Sequence, residues 1–291
     1  MIEYIKVLLR KVIPSDTRVW IKKKKRHLIT FIMRYSSHKT TIQELEYILC
    51  YKLNITKGDN IFVTSSFGYL NASYSPEEII RLLESIVTEE GCIMMPYYPP
   101  KNSDEWAKGG NVFDMNTTKS GMGILTNVFS KMPNVYMSIH PTKAVCVWGK
   151  NAENIVRGHE NAETPFHWDS PYGKFLKMGC KTLGLGVTNN PIFHSIEDIL
   201  LETKTKYYLA NKYNLKLIPI DNKTLEIKTY VHNPQFLSRC ISSGEYIKTL
   251  DCISYKKIEF GHSFIYKIDN SEVLEKTKII VASGDYKLRE K

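Results

Sequence analysis

His194 and Glu197 stand three residues apart, in a segment whose residue types could do acid–base chemistry. Asn190 and Pro191 precede them, and these residues are typical of a helix cap and of the first helical position. On a helix this spacing brings the imidazole and the carboxylate to one face. The carboxylate can then accept the Nδ1–H, which leaves Nε2 as a base for the proton that an attacking amine releases. An ordinary helix salt bridge has the same spacing, so both interpretations stay open on the residues alone.

Other well-known catalytic motifs are missing from the sequence. Gly184 and Gly186 lack the third glycine of a dinucleotide-binding fingerprint, because Asn189 stands in its place. The chain has no Walker A sequence, no His-Glu-x-x-His and no Gly-x-Ser-x-Gly. The cysteines are scattered, without a pair at the spacing of a zinc site. Cys146 lies in an apolar run, where burial would raise the pKa of its thiol.

The elements around this segment alternate between strands and helices, which predicts a layered α/β domain. Ser75 and Glu78 have the spacing of a capping box at the start of one helix. Residues 99–116 are predicted to form a long polar loop. The predicted strands are 61–64, 92–95, 145–148, 182–187, 215–220, 225–231 and 264–268, and the predicted helices are 42–53, 76–90, 122–131 and one from residue 271.

Most of the net positive charge belongs to the first 40 residues. The whole chain carries +10, and residues 1–40 contain 11 Lys or Arg against 2 Asp or Glu. The rest of the chain is nearly balanced, with 29 Lys or Arg against 28 acidic residues. We therefore divide the sequence into a basic N-terminal helical arm, residues 1–40, and a catalytic domain, residues 41–291.

The arm places a basic block at residues 22–26 beside an apolar stretch at residues 28–33. This arrangement suits contact with an anionic membrane surface, and a solvated basic helix packed on its own domain is an equal alternative. No nucleic-acid-reading motif accompanies the charge, so nucleic acid is not an expected partner. No apolar run approaches the roughly 20 residues that span a bilayer, and the N-terminus lacks a signal-peptide pattern. We expect a cytoplasmic protein, peripheral at the membrane if the arm binds lipid.

Several short motifs together resemble the aminoglycoside 3-N-acetyltransferase family, from about Thr41 to near the C-terminus. In order, they are Lys57-Gly58-Asp59 with Val63-Thr64-Ser65-Ser66, Gly91-Cys92-Ile93-Met94-Met95-Pro96, Phe113-Asp114 with Thr117-Thr118-Lys119-Ser120-Gly121-Met122-Gly123, His140-Pro141-Thr142 with Trp148-Gly149, Gly158-His159-Glu160 with Thr164-Pro165-Phe166 and Ser170-Pro171-Tyr172-Gly173-Lys174, Leu183-Gly184-Leu185-Gly186-Val187 with Phe193-His194-Ser195-Ile196-Glu197, and Gly261-His262 with Tyr266 and Asp269. Each motif is short, and the resemblance rests on their order and spacing.

The resemblance implies a three-layer α/β/α fold with a central mixed sheet, direct transfer from acetyl-coenzyme A, and no metal. It also implies that His194 deprotonates the amine of an amino sugar and that Glu197 holds His194. In the family the coenzyme docks at the loop after the opening strand, which corresponds here to the serine loop, residues 65–68. The candidate coenzyme-binding residues are therefore Ser65, Ser66 and Phe67, followed by Ser120, Met122, Thr142 and Lys143.

The chain departs from the family's pattern near the expected coenzyme site. Lys119 replaces a usual proline, and Lys143 and Ala144 stand where the family often has His and Ser. A cationic Lys143 could hold a phosphate of the coenzyme, and it would repel a polycationic drug. His140, in the same segment, is either a catalytic or a buried structural histidine, and the structural role is favoured.

Two classes of acceptor are compatible with these residues. A resistance enzyme would bind a multiply charged aminoglycoside with acidic walls, for which Glu163 and Asp169, near Glu153 and Glu160, are the candidates. A biosynthetic enzyme would acetylate an amino sugar carried on a nucleotide or a lipid in surface polysaccharide assembly, and the basic arm favours this acceptor. A third alternative is a non-catalytic protein that binds a sugar nucleotide or serves as a membrane-associated scaffold, although the intact H-x-x-E pair argues against it.

Overall fold

Three buried parallel strands form the centre of a mixed seven-stranded sheet. The computed structural model describes residues 39–201, 204–221, 223–284 and 287–290. Within these residues, β1 (Asn60–Ser65) pairs in parallel with β2 (Cys92–Tyr97) on one side and with β6 (Cys180–Leu185) on the other. Strands in this position are buried on both faces, which explains their continuous apolar sequences.

Antiparallel strands extend the sheet at both edges, in the order β4-β5-β2-β1-β6-β10-β9. The flanking strands are β4 (Tyr136–Met137), β5 (Ala144–Gly149), β9 (Lys256–Phe260) and β10 (Ser263–Asp269). The strands expected at 61–64, 92–95, 145–148 and 264–268 are confirmed, each two residues longer. The strand expected at 182–187 runs from 180 to 185.

Helices cover both faces of this sheet. Alternate residues of β1 point in opposite directions, so Ile61 and Val63 join one apolar cluster and Phe62 joins the other. One face packs against α1 (Ile42–Tyr47), α2 (Pro76–Val87) and α4 (Ile124–Phe129), and the other packs against α6 (Pro171–Lys177), α7 (Phe193–Leu201), α10 (Ser243–Thr249) and α11 (Asn270–Ala282). The expected three-layer α/β/α architecture with a mixed central sheet is therefore confirmed.

A second, three-stranded sheet corrects the prediction for residues 99–116. It contains β3 (Phe113–Asp114), β7 (Tyr213–Ile218) and β8 (Leu225–Thr229). The expected loop therefore holds β3, and it also holds α3 (Ser103–Lys108), which buries Trp106. Phe113 pairs with Leu217, a partner too distant in sequence for a local pattern to reveal. The remaining short helices are α5 (Ala152–Val156), α8 (Lys204–Tyr207) and α9 (Pro234–Arg239).

The start of α2 agrees with the capping signal in the sequence. The Ser75 hydroxyl accepts the Glu78 N–H at 3.2 Å, and the Glu78 carboxylate accepts the Ser75 N–H at 2.7 Å, which confirms the capping box. α2 ends at Val87, three residues earlier than expected. The helix expected at 42–53 is α-helical only as far as Tyr47 and then continues as a π-helical turn, Ile48–Lys52.

The N-terminal arm lies almost wholly outside the described residues, which begin at Lys39. The division of the chain at residue 40 and the membrane contact of the arm therefore stay predictions. Among the described residues, no helix combines the length and the apolar character needed to cross a bilayer.

Gly184 is required by the packing of two neighbouring strands. It lies in β6, and the ring of Tyr266 from β10 packs directly over its Cα. A Cβ at this position would lie 1.9 Å from the Tyr266 ring and 2.5 Å from the carbonyl oxygen of Val187. The pair Gly184 and Gly186 therefore serves sheet packing and the turn after β6, where Gly186 has φ +77°.

Replacing Gly184 with alanine should destabilise the fold. The added methyl group has no space, and overpacking of a buried site typically costs about 1–3 kcal/mol of unfolding free energy. Urea denaturation of Gly184→Ala and of Gly68→Ala would test this, because a Cβ at Gly68 meets no atom within 4 Å. Equal stability of the two variants would contradict the packing argument.

Candidate active site

A cleft of about 750 Å³ opens at the carboxyl ends of the three parallel strands. β1 leads into the serine loop (residues 65–68), β2 leads into Tyr98, and β6 leads into Asn189 and then α7. Ligand sites of open α/β sheets lie at this edge of the strands. A smaller cavity of about 470 Å³ adjoins the cleft, and the two share Tyr98, Met122, Lys143 and His232 as walls.

The start of α7 differs from the expected helix cap. Asn190 does not cap the helix, which begins at Phe193. Its side chain instead accepts a hydrogen bond from the Thr182 hydroxyl at 2.9 Å and donates one to the Asn270 amide oxygen at 2.8 Å. The side chain is fully buried, and a buried amide is stable only when such partners are present. The network ties the turn before α7 to β6 and α11, so it fixes where His194 enters the cleft.

His194 and Glu197 form the pair that their spacing predicts. His194 lines the cleft, and its Nδ1 lies 2.9 Å from Oε2 of Glu197, whose side chain is only 1% exposed. An ionised carboxylate only accepts hydrogen bonds, so the proton resides on Nδ1 and the neutral ring presents Nε2 as an acceptor. Nε2 has no hydrogen-bond partner among the described residues. The arrangement provides an oriented base at the cleft.

Arg289 is a third member of this group that sequence reasoning missed. Its Nε donates to Oε1 of Glu197 at 2.7 Å, and its Nη2 donates to Oε2 at 3.0 Å. The arginine lies 92 residues from Glu197 in sequence, outside every motif that marked the site. No local signal could have found it.

Burial and charge together determine the protonation of the pair. Burial lowers the pKa of His194 most strongly, the Glu197 carboxylate raises it in part, and the charges of Arg289 and Lys143 lower it again, so the net shift is downward. Burial by itself would raise the pKa of Glu197, but the hydrogen bond from His194 and the charge of Arg289 hold it below its usual value. At neutral pH the pair is therefore a neutral imidazole beside an ionised carboxylate.

Aromatic rings surround His194, and sequence reasoning did not assign a role to them. The Phe166 ring centroid lies 4.9 Å from that of His194, and the His232 centroid lies 4.8 Å from it. His232 also stacks on Phe166 at 5.4 Å and on Tyr208 at 5.2 Å. Burial lowers the pKa of His232 well below its usual value, and its Nε2 is buried with no hydrogen-bond partner among the described residues. The rings exclude water from one side of the base.

Lys143 lines both the cleft and the smaller cavity. Its Nζ lies 4.3 Å from the centroid of the Tyr98 ring, a cation–π contact. Burial lowers the pKa of the Lys143 ammonium to about 8. Burial is the main cause of the lowered pKa of His194 and of His232, and the charge of Lys143 lowers both further. His194 lines the same cleft as Lys143.

The structure brings four of the seven predicted coenzyme-binding residues to the same cleft as Lys143 and His194. Ser65, Ser66, Phe67 and Met122 line it. The Ser65 and Ser66 hydroxyls have no hydrogen-bond partner among the described residues, so they are available to a ligand. With Lys143, five of the residues predicted to bind the coenzyme line this cleft, and their contact with a coenzyme stays a prediction.

Ser120 and Thr142 lie behind the cleft rather than in its lining. The Ser120 hydroxyl donates to the Tyr98 carbonyl at 3.2 Å and accepts the Met122 N–H at 3.0 Å, so it shapes the wall from within. Thr142 is buried, and its backbone N–H donates to Nδ1 of His140. Neither side chain reaches the cavity, because both belong to buried turns that support it.

His140 is the buried structural histidine that the sequence suggested. It is 1% exposed, and its Nδ1 accepts the backbone N–H groups of Thr142 and Lys143 at 3.2 and 3.0 Å. Its Nε2 lies 3.1 Å from the Thr229 hydroxyl. Cys146, expected to be inert, is likewise buried in β5, and burial raises the pKa of its thiol.

Glu163 and Asp169, the predicted substrate-binding acids, do not line the cleft. Both are near His167, with oxygens 3.9 and 3.6 Å from its ring nitrogens. Asp169 also lies 3.6 Å from the Lys177 ammonium, at the protein surface. Both acids are exposed, so they face solvent instead of the cavity.

Comparison with known sequences identifies a family match over most of the domain. A family model described as aminoglycoside 3-N-acetyltransferase matches residues 62–278. The chain is also similar to the SPbeta prophage-derived aminoglycoside N(3')-acetyltransferase-like protein YokD of Bacillus subtilis (strain 168), with 29% identity over 167 residues. That match covers 50% of this chain and 60% of the relative's length.

Solved structures share the fold. The crystal structure of YokD from Bacillus subtilis has a TM-score of 0.68 at 21% identity, covering 87% of this chain and 97% of that chain. Aminoglycoside acetyltransferase AAC(3)-Xa has a TM-score of 0.72 at 14% identity, with coverages of 91% and 99%. AAC-IIIb in a binary structure with CoASH has a TM-score of 0.68 at 16% identity, with coverages of 85% and 98%. Identities this low support similarity of fold alone.

The tautomer and the proton affinity of His194 can be measured directly. We expect nitrogen NMR spectra to show the proton on Nδ1 at pH 7, and we expect the ring to be half-protonated only below the ordinary value of about 6.5. The reason is that burial and two nearby cations oppose the charged form. The resonances are assigned by their loss in His194→Gln. A proton on Nε2, or a midpoint above 6.5, would contradict the base geometry described above.

Proposed function

Because the chain belongs to the aminoglycoside 3-N-acetyltransferase family, we propose that it transfers an acetyl group from acetyl-coenzyme A to an amine of an amino sugar. The observation that carries this proposal is the neutral His194, whose Nδ1 is held by the buried Glu197 and whose Nε2 is left for the cleft. Acyl transfer to an amine needs such a base, because the nitrogen must lose a proton as it attacks.

His194 has one chemical task in this proposal. Acetyl-coenzyme A supplies an acetyl group as a thioester, whose carbonyl carbon bonds to the amine nitrogen as the carbon–sulfur bond breaks. Nε2 of His194 takes the proton from the nitrogen, and Glu197 stabilises the imidazolium through the hydrogen bond at Nδ1. The proton then passes to the sulfur that leaves, so the histidine returns to its neutral form. A positioned base of this kind contributes about 10²–10⁴-fold to the rate.

The residues of the cleft fit the coenzyme. Ligand cavities of about 300–1,000 Å³ accept molecules of this class, and the cleft has about 750 Å³. The hydroxyls of Ser65 and Ser66 and the apolar side chains of Phe67 and Met122 provide polar and apolar contacts along one wall. The serine loop would thus hold the coenzyme on the β1 side. The neighbouring structure that contains CoASH supports this choice of acyl carrier.

An aminoglycoside is the acceptor that the family favours. The curated relative carries that activity class in its name, and structural neighbours include complexes with a gentamicin and with apramycin. These comparisons support the aminoglycoside alternative better than the polysaccharide acceptor that the basic arm suggested. We therefore propose 3-N-acetylation of an aminoglycoside as the first reaction to test.

A second acceptor class is favoured by one observation, the position of Lys143. Lys143 lines the same cleft as His194, and it also lines the adjoining smaller cavity. We infer that Lys143 meets the acceptor. An anionic acceptor, such as an amino sugar linked to a nucleotide or to a lipid phosphate, would be attracted by this charge, and a polycation would be repelled.

The His194→Ala variant tests the reaction and the role of the base together. We expect turnover to fall at least about 10²-fold, with coenzyme A affinity near that of the wild type, since His194 acts on the acceptor. Thiol release from acetyl-coenzyme A is measured with gentamicin, apramycin and nucleotide-linked amino sugars, and coenzyme binding is measured by calorimetry. The exposed His262, changed to alanine, is the matched control and should remain active. Undiminished turnover in His194→Ala would remove the histidine from the mechanism, and coenzyme binding without any turnover in the wild type would revive a non-catalytic role.

Replacing Lys143 distinguishes the two acceptor classes. In Lys143→Met we expect KM to rise about tenfold for an anionic acceptor and to fall for an aminoglycoside, because a charge near the acceptor is lost. Lys143→Arg keeps the charge, so we expect its KM values for both acceptor classes to remain close to those of the wild type. A weaker coenzyme A affinity in Lys143→Met, with both acceptor KM values unchanged, would show instead that the lysine holds a coenzyme phosphate.

A further inference from the structure

Arg289 reaches the active site from the C-terminal end of the chain. It lies beyond residues 62–278, the part of the chain that the family model matches. The segment is anchored next to the cleft. The Ile241 N–H donates to the Arg289 carbonyl at 2.9 Å, Nη1 of Arg289 donates to the Ile241 carbonyl at 2.8 Å, and Cys240 forms an antiparallel bridge with Glu290.

The guanidinium is buried against the carboxylate that orients the base. The Arg289 side chain is 5% exposed, and its two hydrogen bonds to Glu197 form a bidentate pair. The rings of Phe193 and Tyr207 flank it, with centroids 5.8 and 5.7 Å from Cζ. Geometry of this kind fixes both the position and the charge of the carboxylate, because the planar fork matches its two oxygens.

The positive charge also acts on the proton that the site must handle. A proton taken up by the pair resides either on Nε2 of His194 or on Glu197, and a nearby cation disfavours both forms. Glu197 attracts that proton, while Arg289 opposes it. The pair therefore takes up a proton only at a lower pH than an isolated imidazole–carboxylate pair would, and Nε2 of His194 stays free to accept one over that range.

We propose that Arg289 is a positioning residue that holds Glu197 ionised and oriented and thereby sets the lower pH limit at which His194 acts as a base. This inference rests on the proposed function for its kinetic consequence. Its structural consequence, a shifted proton affinity of the pair, is independent of any reaction.

Other charged and titratable groups face the pair, and the experiment must separate them from Arg289. The charge of Lys143 opposes protonation of His194, and the His232 ring packs on the His194 ring. Burial raises the pKa of the Tyr207 hydroxyl, and the charge of Glu197 raises it further. Cys240 lies near Arg289, and burial raises the pKa of its thiol. Arg289 is the group that makes two direct hydrogen bonds to the carboxylate from one cationic side chain.

Two variants at this position distinguish charge from shape. Arg289→Met removes the cation and keeps an apolar stem, so the pair should bind a proton more readily. The acidic limb of the kcat/KM profile should then move to higher pH by about one unit or more. Arg289→Lys keeps the charge and loses the planar two-donor geometry. The acidic limb of its kcat/KM profile should therefore stay near that of the wild type even if kcat falls. Thermal unfolding of each variant, with acetyl transfer assayed as above, shows whether the variant is folded.

NMR titration of the His194 ring in the same proteins tests the proposal independently of turnover. The pH at which the ring is half-protonated should rise in Arg289→Met and remain near the wild-type value in Arg289→Lys. An unmoved midpoint in a folded Arg289→Met protein, or an equal rise in both variants, would overturn the proposal. If wild-type protein shows the expected midpoints but releases no coenzyme A with any acceptor, the proposed function fails while the role of Arg289 stands.

Discussion

The active site depends on one buried carboxylate. Glu197 is almost completely removed from water, and an ionised group in that position is stable only when it is paired and hydrogen-bonded. His194 supplies one partner from the same helix, and Arg289 supplies two more hydrogen bonds from the end of the chain. Removing Arg289 would leave the buried Glu197 carboxylate without its countercharge, a change that typically costs about 3–5 kcal/mol. The contacts of Glu197 therefore both orient His194 and contribute to the stability of this region.

The sheet explains why the partners meet at this point. Three parallel strands end at one edge, and each passes directly into a segment that lines the cleft. Behind that edge, Asn190 is fixed by Thr182 of β6 and by Asn270 at the start of α11. This network holds the turn from which α7 departs, so the direction of α7, and with it the position of His194, follows from the packing of β6 and α11.

The sequence was informative where the signal is local. Strand runs, the Ser75 capping box and the spacing of His194 and Glu197 are set by neighbours along the chain, and the structure has all of them. Predictions that depend on distant partners were the ones that differed. The strand at Phe113 forms by pairing with Leu217. The side chain of Asn190 bonds to the buried Thr182 and Asn270 instead of capping α7. Arg289 shows no periodicity, motif or spacing that would connect it to a glutamate 92 residues away.

The charge of the cleft bears on which amine can react. The predicted substrate-binding acids, Glu163 and Asp169, face solvent, while Lys143 lines the cleft together with His194. A cation near an acceptor does more than repel it. It also lowers the pKa of a neighbouring ammonium group, and only the neutral amine can attack an acyl carbon. In the proposed reaction, Lys143 would therefore favour the neutral form of a single amine, and each further positive charge on the acceptor would add repulsion without a corresponding gain. The more amines an acceptor carries, the more strongly its binding must depend on parts of the cleft that lie away from Lys143.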